Sequence, residues 1–257
     1  MEYGMPSVLY NKLSGYCPVY FKKPIGTFDE VWTNYYTEEF KDNQAKKKHF
    51  VHGTMNPLYN IPPNTDHLFV FSERAFENLQ ENIPKTVIRN GIDIQRFAEK
   101  SPANSLQNIL IHDSRASTFS ALMIMSVAQR LNAYVRYLGV DSLAGQKIWD
   151  TECVIKDSDM VIGYGRSLFE GMSMGKVSVC YGLNGGDGMI RDEDTFLKML
   201  RSNGSGWSIR SLPSPDQQDW KSVLQELGKY KKSYGELSRY LAEKYLDITL
   251  YLDKILV

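Results

Sequence analysis

Cysteine is scarce in this 257-residue chain: Cys17, Cys153 and Cys180 are odd in number, far apart and lack metal-ligand spacing. That usage supports neither a disulfide scaffold nor a zinc site, and it fits a reducing compartment. A dominant charge sign is missing as well, since Lys plus Arg total 30 and Asp plus Glu total 30. The balance removes any overall electrostatic case for nucleic acid or an acidic membrane surface. The short run Lys46, Lys47, Lys48 reads as a solvated face. No apolar run approaches the roughly 20 residues that cross a bilayer, and no basic-then-apolar leader opens the sequence, so a cytoplasmic protein is expected. A phosphate-binding Walker motif is also absent, because the triplet Gly175-Lys176-Val177 departs from it at the third position. The four histidines, His49, His52, His67 and His112, show no metal-ligand spacing. No metal and no cofactor are expected.

What the chain does have is 42% hydrophobic residues and length enough for a sizeable core, in one large domain or two small ones. In the second half, apolar strands alternate with helical patterns. "NILI" from Asn108 and "YVRYLGV" from Tyr134 flank a helix over Thr118 to Leu131, and "MVIGYG" and "VSVCYG" flank a short helix that ends near Gly175. In the first half, "FDEVWTNYY", "KKHFVHG", "HLFVFS" and "KTVIRNG" each read as a strand, with a helix over Glu73 to Gln80 behind the N-cap candidate Ser72. This order predicts an α/β fold with parallel sheets covered by helices. The polar, breaker-rich span Asp93 to Gln107 marks a domain junction. "SLPSPDQQ" from Ser211 precedes a helical C-terminal region, where Tyr230, Tyr234, Tyr240, Tyr245 and Tyr251 read as packing residues.

The stretch "DSDMVIGYGRSLFEGMSMGKVSVCYG", Asp157 to Gly182, carries the chemistry. A strand runs to Gly165; Ser167 at the helix start and Glu170 three positions on have the spacing of a capping box. A helix N-terminus just beyond a parallel strand offers free amides and a positive dipole end to anions, and Arg166 adds a bidentate cation there. Two readings stay open: a phosphate or nucleotide site, and a plain strand-helix-strand packing turn. A third glycine for the dinucleotide fingerprint is missing, which argues against a nicotinamide enzyme.

"SDMVIGYGRSLFEGMSMGKVSVCYG" resembles the donor-binding segment of family 4 glycosyltransferases, and "VFSERAFENLQENIPKTVIRNGIDIQRF", Val70 to Phe97, resembles the element that leads from their first domain into their second. The resemblance spans roughly Phe50 to Gly182. It implies two Rossmann-like domains with parallel sheets, the GT-B type. The N-terminal, acceptor-side domain over 1–95 is reduced, the nucleotide-sugar donor domain covers 96–235, and a C-terminal helix over 236–257 packs back toward the first domain. Further implied are metal-independent, retaining transfer of a sugar from a nucleotide-sugar co-substrate to a saccharide or other hydroxyl acceptor. Glu170 would hold the donor ribose; Arg115, Gly165, Arg166, Ser167 and Leu168 would face the diphosphate. His52 and Arg166 would be catalytic, His52 from the acceptor side.

Three features depart from that family's pattern. Ile162 stands where a further glutamate is usual, no lysine follows Arg115, and only about ninety residues precede "NGID". They keep alive a second reading, a non-catalytic glycosyltransferase-like subunit that binds a nucleotide or a partner, and the reduced first domain leaves room for an oligomer. A third is a nucleotide-sugar isomerase or hydrolase on the same fold. Asp157, Asp159 and the Asp192-Glu193-Asp194 cluster are read as structural and not as metal ligands. "NGGDGMIRDED" from Asn184 reads as a flexible loop, in contact with the donor sugar or merely on the surface. His112 is expected to be a satisfied structural histidine.

Overall fold

A computed structural model describes residues 30–33, 46–51, 61, 64–79, 82–112, 118–138 and 150–255. His52 and Arg115 lie outside the described residues. The elements, in order, are β1 (Glu30–Thr33), β2 (Lys46–Val51), β3 (His67–Val70), α1 (Glu73–Asn78), β4 (Lys85–Val87), β5 (Asn108–His112), α2 (Thr118–Arg130), β6 (Tyr134–Leu138), α3 (Thr151–Ile155) and β7 (Met160–Gly163). They continue as α4 (Arg166–Ser173), β8 (Val177–Gly182), β9 (Gly185–Met189), α5 (Glu193–Leu200), α6 (Trp220–Leu227), α7 (Lys232–Tyr245) and α8 (Thr249–Ile255).

Two sheets result, one of order β1-β2-β3-β4 and one of order β6-β5-β7-β8-β9. All pairings are parallel except β8 with β9. The α/β, Rossmann-like class expected from the sequence is the observed one. In the second sheet, alternation along each strand builds two cores. Ile109 and Ile111 of β5, Met160 and Ile162 of β7, and Val177, Val179 and Tyr181 of β8 face α2 and α6, whereas Leu110, Val161 and Cys180 face α3, α4, α5 and α7. Cys180 thus fills the core as a small apolar residue would.

The first sheet has a smaller core, in which Val51, Leu68, Val70, Ala75 and Leu79 cluster. The Ser72 hydroxyl caps α1, accepting from the Ala75 amide at 3.1 Å. Here one expectation fails: Lys47 and Lys48 are buried, at 4% and 8% exposure, not on a solvated face. They sit in β2, an interior strand hydrogen-bonded on both sides, where Lys48 pairs with Glu30 at 3.2 Å and the Lys47 amide donates to Asp66 at 2.8 Å. Long apolar stems tolerate such burial when the charged tip finds a partner.

A second correction concerns "NGGDGMIRDED". Gly185–Met189 is a fully buried antiparallel strand, and Asp192 caps α5 by accepting from the Thr195 amide at 2.7 Å. Glycines that read as loop signals serve close approach here: a Cβ at Gly186 would overlap the backbone of Cys180 and Tyr181. The Asp187 carboxylate gathers the amides of Ile209 and Arg210 at 2.7 and 2.9 Å, which fixes the loop 201–210 against the hairpin. Asp159 does the same at the other end of the sheet, accepting from the amides of Ala103, Gln107 and Asn108 at 2.8 to 3.0 Å.

Among the described residues, several polar groups tie the sheets together. Arg89 forks onto Glu73 and donates to the Leu200 carbonyl at 3.0 Å. Ile92 exchanges backbone bonds with Leu246 and Ile248, so the chain between α7 and α8 returns to the junction. The Tyr251 hydroxyl, farther along α8, donates to the Tyr245 carbonyl at 2.5 Å.

Candidate functional site

The second sheet reverses its winding between β5 and β7. From β5 the chain goes outward through α2 to β6; it then crosses back through α3 to β7 on the other side of β5. Helices therefore leave the adjacent carboxyl ends of β5 and β7 in opposite directions, and ligands of open α/β sheets bind in the crevice so formed. The residues that end these two strands, His112 and Gly163, are direct register partners. A side chain at Gly163 would collide with the His112 carbonyl, so only glycine allows this approach.

Beyond β7, Gly165 is the N-cap of α4, with φ of +50°, a region open to glycine at little cost. Because the helix starts at Arg166, Ser167 lies inside its first turn, and the expected capping box does not form. The Ser167 amide is bonded to the Tyr164 carbonyl at 3.1 Å, and Leu168 is fully buried. Gly171, one turn on, lets α4 lie close on β7: a Cβ there would come 2.7 Å from that of Val161. This is the packing role that a third fingerprint glycine would fill, supplied from a later position.

Glu170 is freed from capping and becomes the hub of a polar cluster. One carboxylate oxygen accepts from Arg166 Nε at 2.9 Å; the other is 2.9 Å from His112 Nε2 and accepts from the Thr151 hydroxyl at 3.1 Å. Its side chain is 7% exposed, against 61% for Arg166. Burial alone pushes this carboxyl up, but the hydrogen bond and charge of His112, followed by those of Arg166, outweigh it and hold the group below the ordinary glutamate range. The carboxylate is therefore ionised, and His112 Nε2 donates to it. His112 Nδ1 is buried without a hydrogen-bond partner. Next to Thr151, Arg96 binds Glu152 through Nε at 3.2 Å and Nη2 at 2.9 Å, which raises its already high pKa.

Of the residues singled out from sequence, Gly165, Arg166, Ser167, Leu168 and Glu170 come together at one strand-helix junction. His112 and Thr151 were missed as members. His112 is the last residue of β5 beside the reversal point, a signal available once the strand order is known; Thr151 lies at the start of a five-residue helix and gave none. Lys176, beside the helix end, is structural: its ammonium donates to the carbonyls of Lys100 and Lys156 at 2.7 and 2.9 Å. Burial and the nearby Lys100 charge lower its pKa to about 8. Asp157 pairs with Lys100 at 3.3 Å, and the described residues contain no cluster of three or more His, Cys, Asp or Glu arranged to hold a metal ion. Among them, too, no helix is long and apolar enough to cross a membrane.

No family model matches this chain, and no curated protein does. Among solved structures it is similar to a chain of the "Glycosylation Associate Protein (Gap123) complex from Streptococcus agalactiae", at 12% identity and a TM-score of 0.39. The match covers 93% of this chain and 57% of that one, and similarity of this degree does not extend to function.

Proposed function

We propose that the protein is a glycosyltransferase of the GT-B type, and that it takes a nucleotide sugar at the β5/β7 crevice without a metal. One observation carries this reading: a strand-end glycine pair, a helix N-terminus and a half-exposed arginine converge on the topological switch point of a parallel sheet. In this arrangement Arg166 and the first-turn amides of α4 other than that of Ser167 offset the charge that develops on the diphosphate leaving group, which is electrostatic stabilisation of the transition state. Arg115 contributes a second cation. Glu170 holds the ribose hydroxyls in place of the Thr151 hydroxyl, and His52 acts on the acceptor. Incubating the purified chain with a panel of nucleotide sugars, with and without acceptors, tests this. Acceptor-dependent release of nucleoside diphosphate that persists in chelator is expected; binding without release, whatever the acceptor, removes the transferase assignment.

A specific observation favours a second reading, a non-catalytic nucleotide-binding or partner-binding subunit. Both oxygens of Glu170 are already engaged and the side chain is almost closed off, so the carboxylate is as well suited to hold α3, α4 and β5 together as to receive a ligand. Glu170→Gln separates these two roles of the carboxylate. A ribose-binding role predicts weaker nucleotide affinity at unchanged thermal stability, and a purely bracing role predicts the reverse.

A further inference from the structure

Between α1 of the first sheet and the segment that follows α5 lies a polar cavity of about 300 Å³, lined by Arg74, Glu77, Asn78, Lys198, Arg201 and Ser208. Three of these side chains are cationic and one is anionic. Arg74 is held in place from both its backbone and its side chain: its amide donates to the Arg201 carbonyl at 3.1 Å, and its Nη1 donates to the Trp207 carbonyl at 3.2 Å. A guanidinium has five N–H donors in a rigid fork, and that carbonyl takes only one bond at Nη1. Arg201 reaches across the cavity to Glu77 at 2.8 Å, both being more than half exposed, so this pair neutralises itself and leaves the charge of Arg74 and Lys198. The Ser208 hydroxyl donates to Ser202 at 2.5 Å, because the Ser202 hydrogen is taken by the Met199 carbonyl at 3.2 Å.

The cavity is not the β5/β7 crevice, but it shares a wall with it. The loop 201–210 lines the cavity with Arg201 and Ser208, and through the Gly204 carbonyl it accepts from the Gly165 amide at 2.8 Å, at the start of α4. A ligand in the cavity is therefore one loop away from the candidate donor site and in contact with the other sheet, where a second substrate would lie.

We propose that this inter-sheet cavity binds an anionic group, a phosphate or a carboxylate, carried by the hydroxyl acceptor. The planar fork of Arg74 suits two oxygens of such a group, and Lys198 adds a point charge. That the anion belongs to an acceptor rests on the transferase reading; the anion site itself does not.

The test is isothermal titration at low ionic strength of the full chain with inorganic phosphate, with glucuronate as the carboxylate arm and with a nucleoside diphosphate as the donor-site control. Saturable binding of one of the first two is expected. Lys198→Glu should weaken it at least tenfold, and Glu77→Gln, which removes the one carboxylate of the lining, should tighten it severalfold. Neither variant should alter nucleoside diphosphate affinity. The better arm identifies the acceptor's charged group. Absence of saturable binding in both arms, or binding indifferent to Lys198→Glu, overturns the proposal; so does phosphate binding that is lost in Arg166→Ala and kept in Lys198→Glu, because the anion would then sit at α4. If phosphate or glucuronate binds as expected and nucleoside diphosphate does not bind the parent, the transferase reading fails while the anion site stands.

Discussion

The two sheets of this protein solve the burial problem differently. Strands β5, β7 and β8 send apolar side chains alternately into two cores, each roofed by helices, so that Leu110, Val161 and Phe169 on one side and Ile109, Met160 and Val179 on the other are all essentially inaccessible. The first sheet has one small described core, and its interior strand β2 buries two lysines beside His49. At about 25 cal/mol per Å² of apolar surface removed from water, the second sheet carries most of the stabilisation. It can therefore hold a polar constellation at the carboxyl end of its strands, with a charged Glu170 inside. The first sheet draws on the second through Arg89, Arg74 and Ile92.

The sharpest way to break that contrast is to open a cavity in each core. Phe169→Ala should cost about 3–5 kcal/mol and Leu68→Ala about 2 kcal/mol, the smaller core having more freedom to collapse. Denaturant unfolding followed by hydrogen exchange should show Leu68→Ala loosening the amides of β2, β3 and β4 while those of β7 and β8 stay protected. Equal loss of protection in both sheets would mean that they unfold as one unit.

A pH titration sharpens the comparison from the side of the second sheet. With a pKa of about 8 for Lys176 against about 10.5 when exposed, the folded state binds fewer protons than the unfolded one between those values. This group's contribution therefore rises as pH climbs from about 8 to about 10.5, by up to about 1.4 kcal/mol per unit, and below pH 8 the whole cost of burying the cation is borne. The stability of the parent relative to Lys176→Met, read from urea midpoints, should rise with this slope across that window. Parallel curves would show that the lysine is solvated.

At the site, Arg166→Ala should weaken nucleoside diphosphate binding by about 1.5–3 kcal/mol, the range for a lost charge-assisted hydrogen bond, with little change in melting temperature because the side chain is 61% exposed. The smallest effect is expected where the sheets face each other: the exposed Arg201–Glu77 pair should contribute less than about 1 kcal/mol, so Glu77→Gln should leave thermal unfolding nearly unchanged. A large destabilisation there would make this ion pair a structural tie between the sheets, in line with Arg89.

Much of this architecture was legible from residue patterns. Short apolar runs, alternation in "YVRYLGV" and polar or glycine strand ends located every described strand except β9, and Ser72 marked the start of α1. What was hidden has a common cause: partners distant in sequence decide. Gly185 to Met189 reads as loop because its glycines break any apolar pattern, yet the Cys180 backbone and the loop at Leu212 leave no room for side chains. Lys48 of β2 reads as surface because Glu30, which pairs with its ammonium, lies 18 residues away. At the site, local spacing suggested a capping role for Glu170; His112, 58 residues earlier, and Thr151, 19 earlier, claimed its carboxylate instead.

The loop from Arg201 to Arg210 touches both sheets. One of its carbonyls, that of Gly204, fixes the amide of Gly165, while two others, those of Arg201 and Trp207, fix Arg74 in the opposite unit; Asp187 clamps its far end. It is a fulcrum shared by both halves. A rotation that widens the cleft must either detach Arg74 from the fulcrum or pull on Gly165, and so on the first turn of α4. Whatever occupies the space between the sheets is thereby geared to the helix end on which Arg166 is mounted, over a path only one loop long.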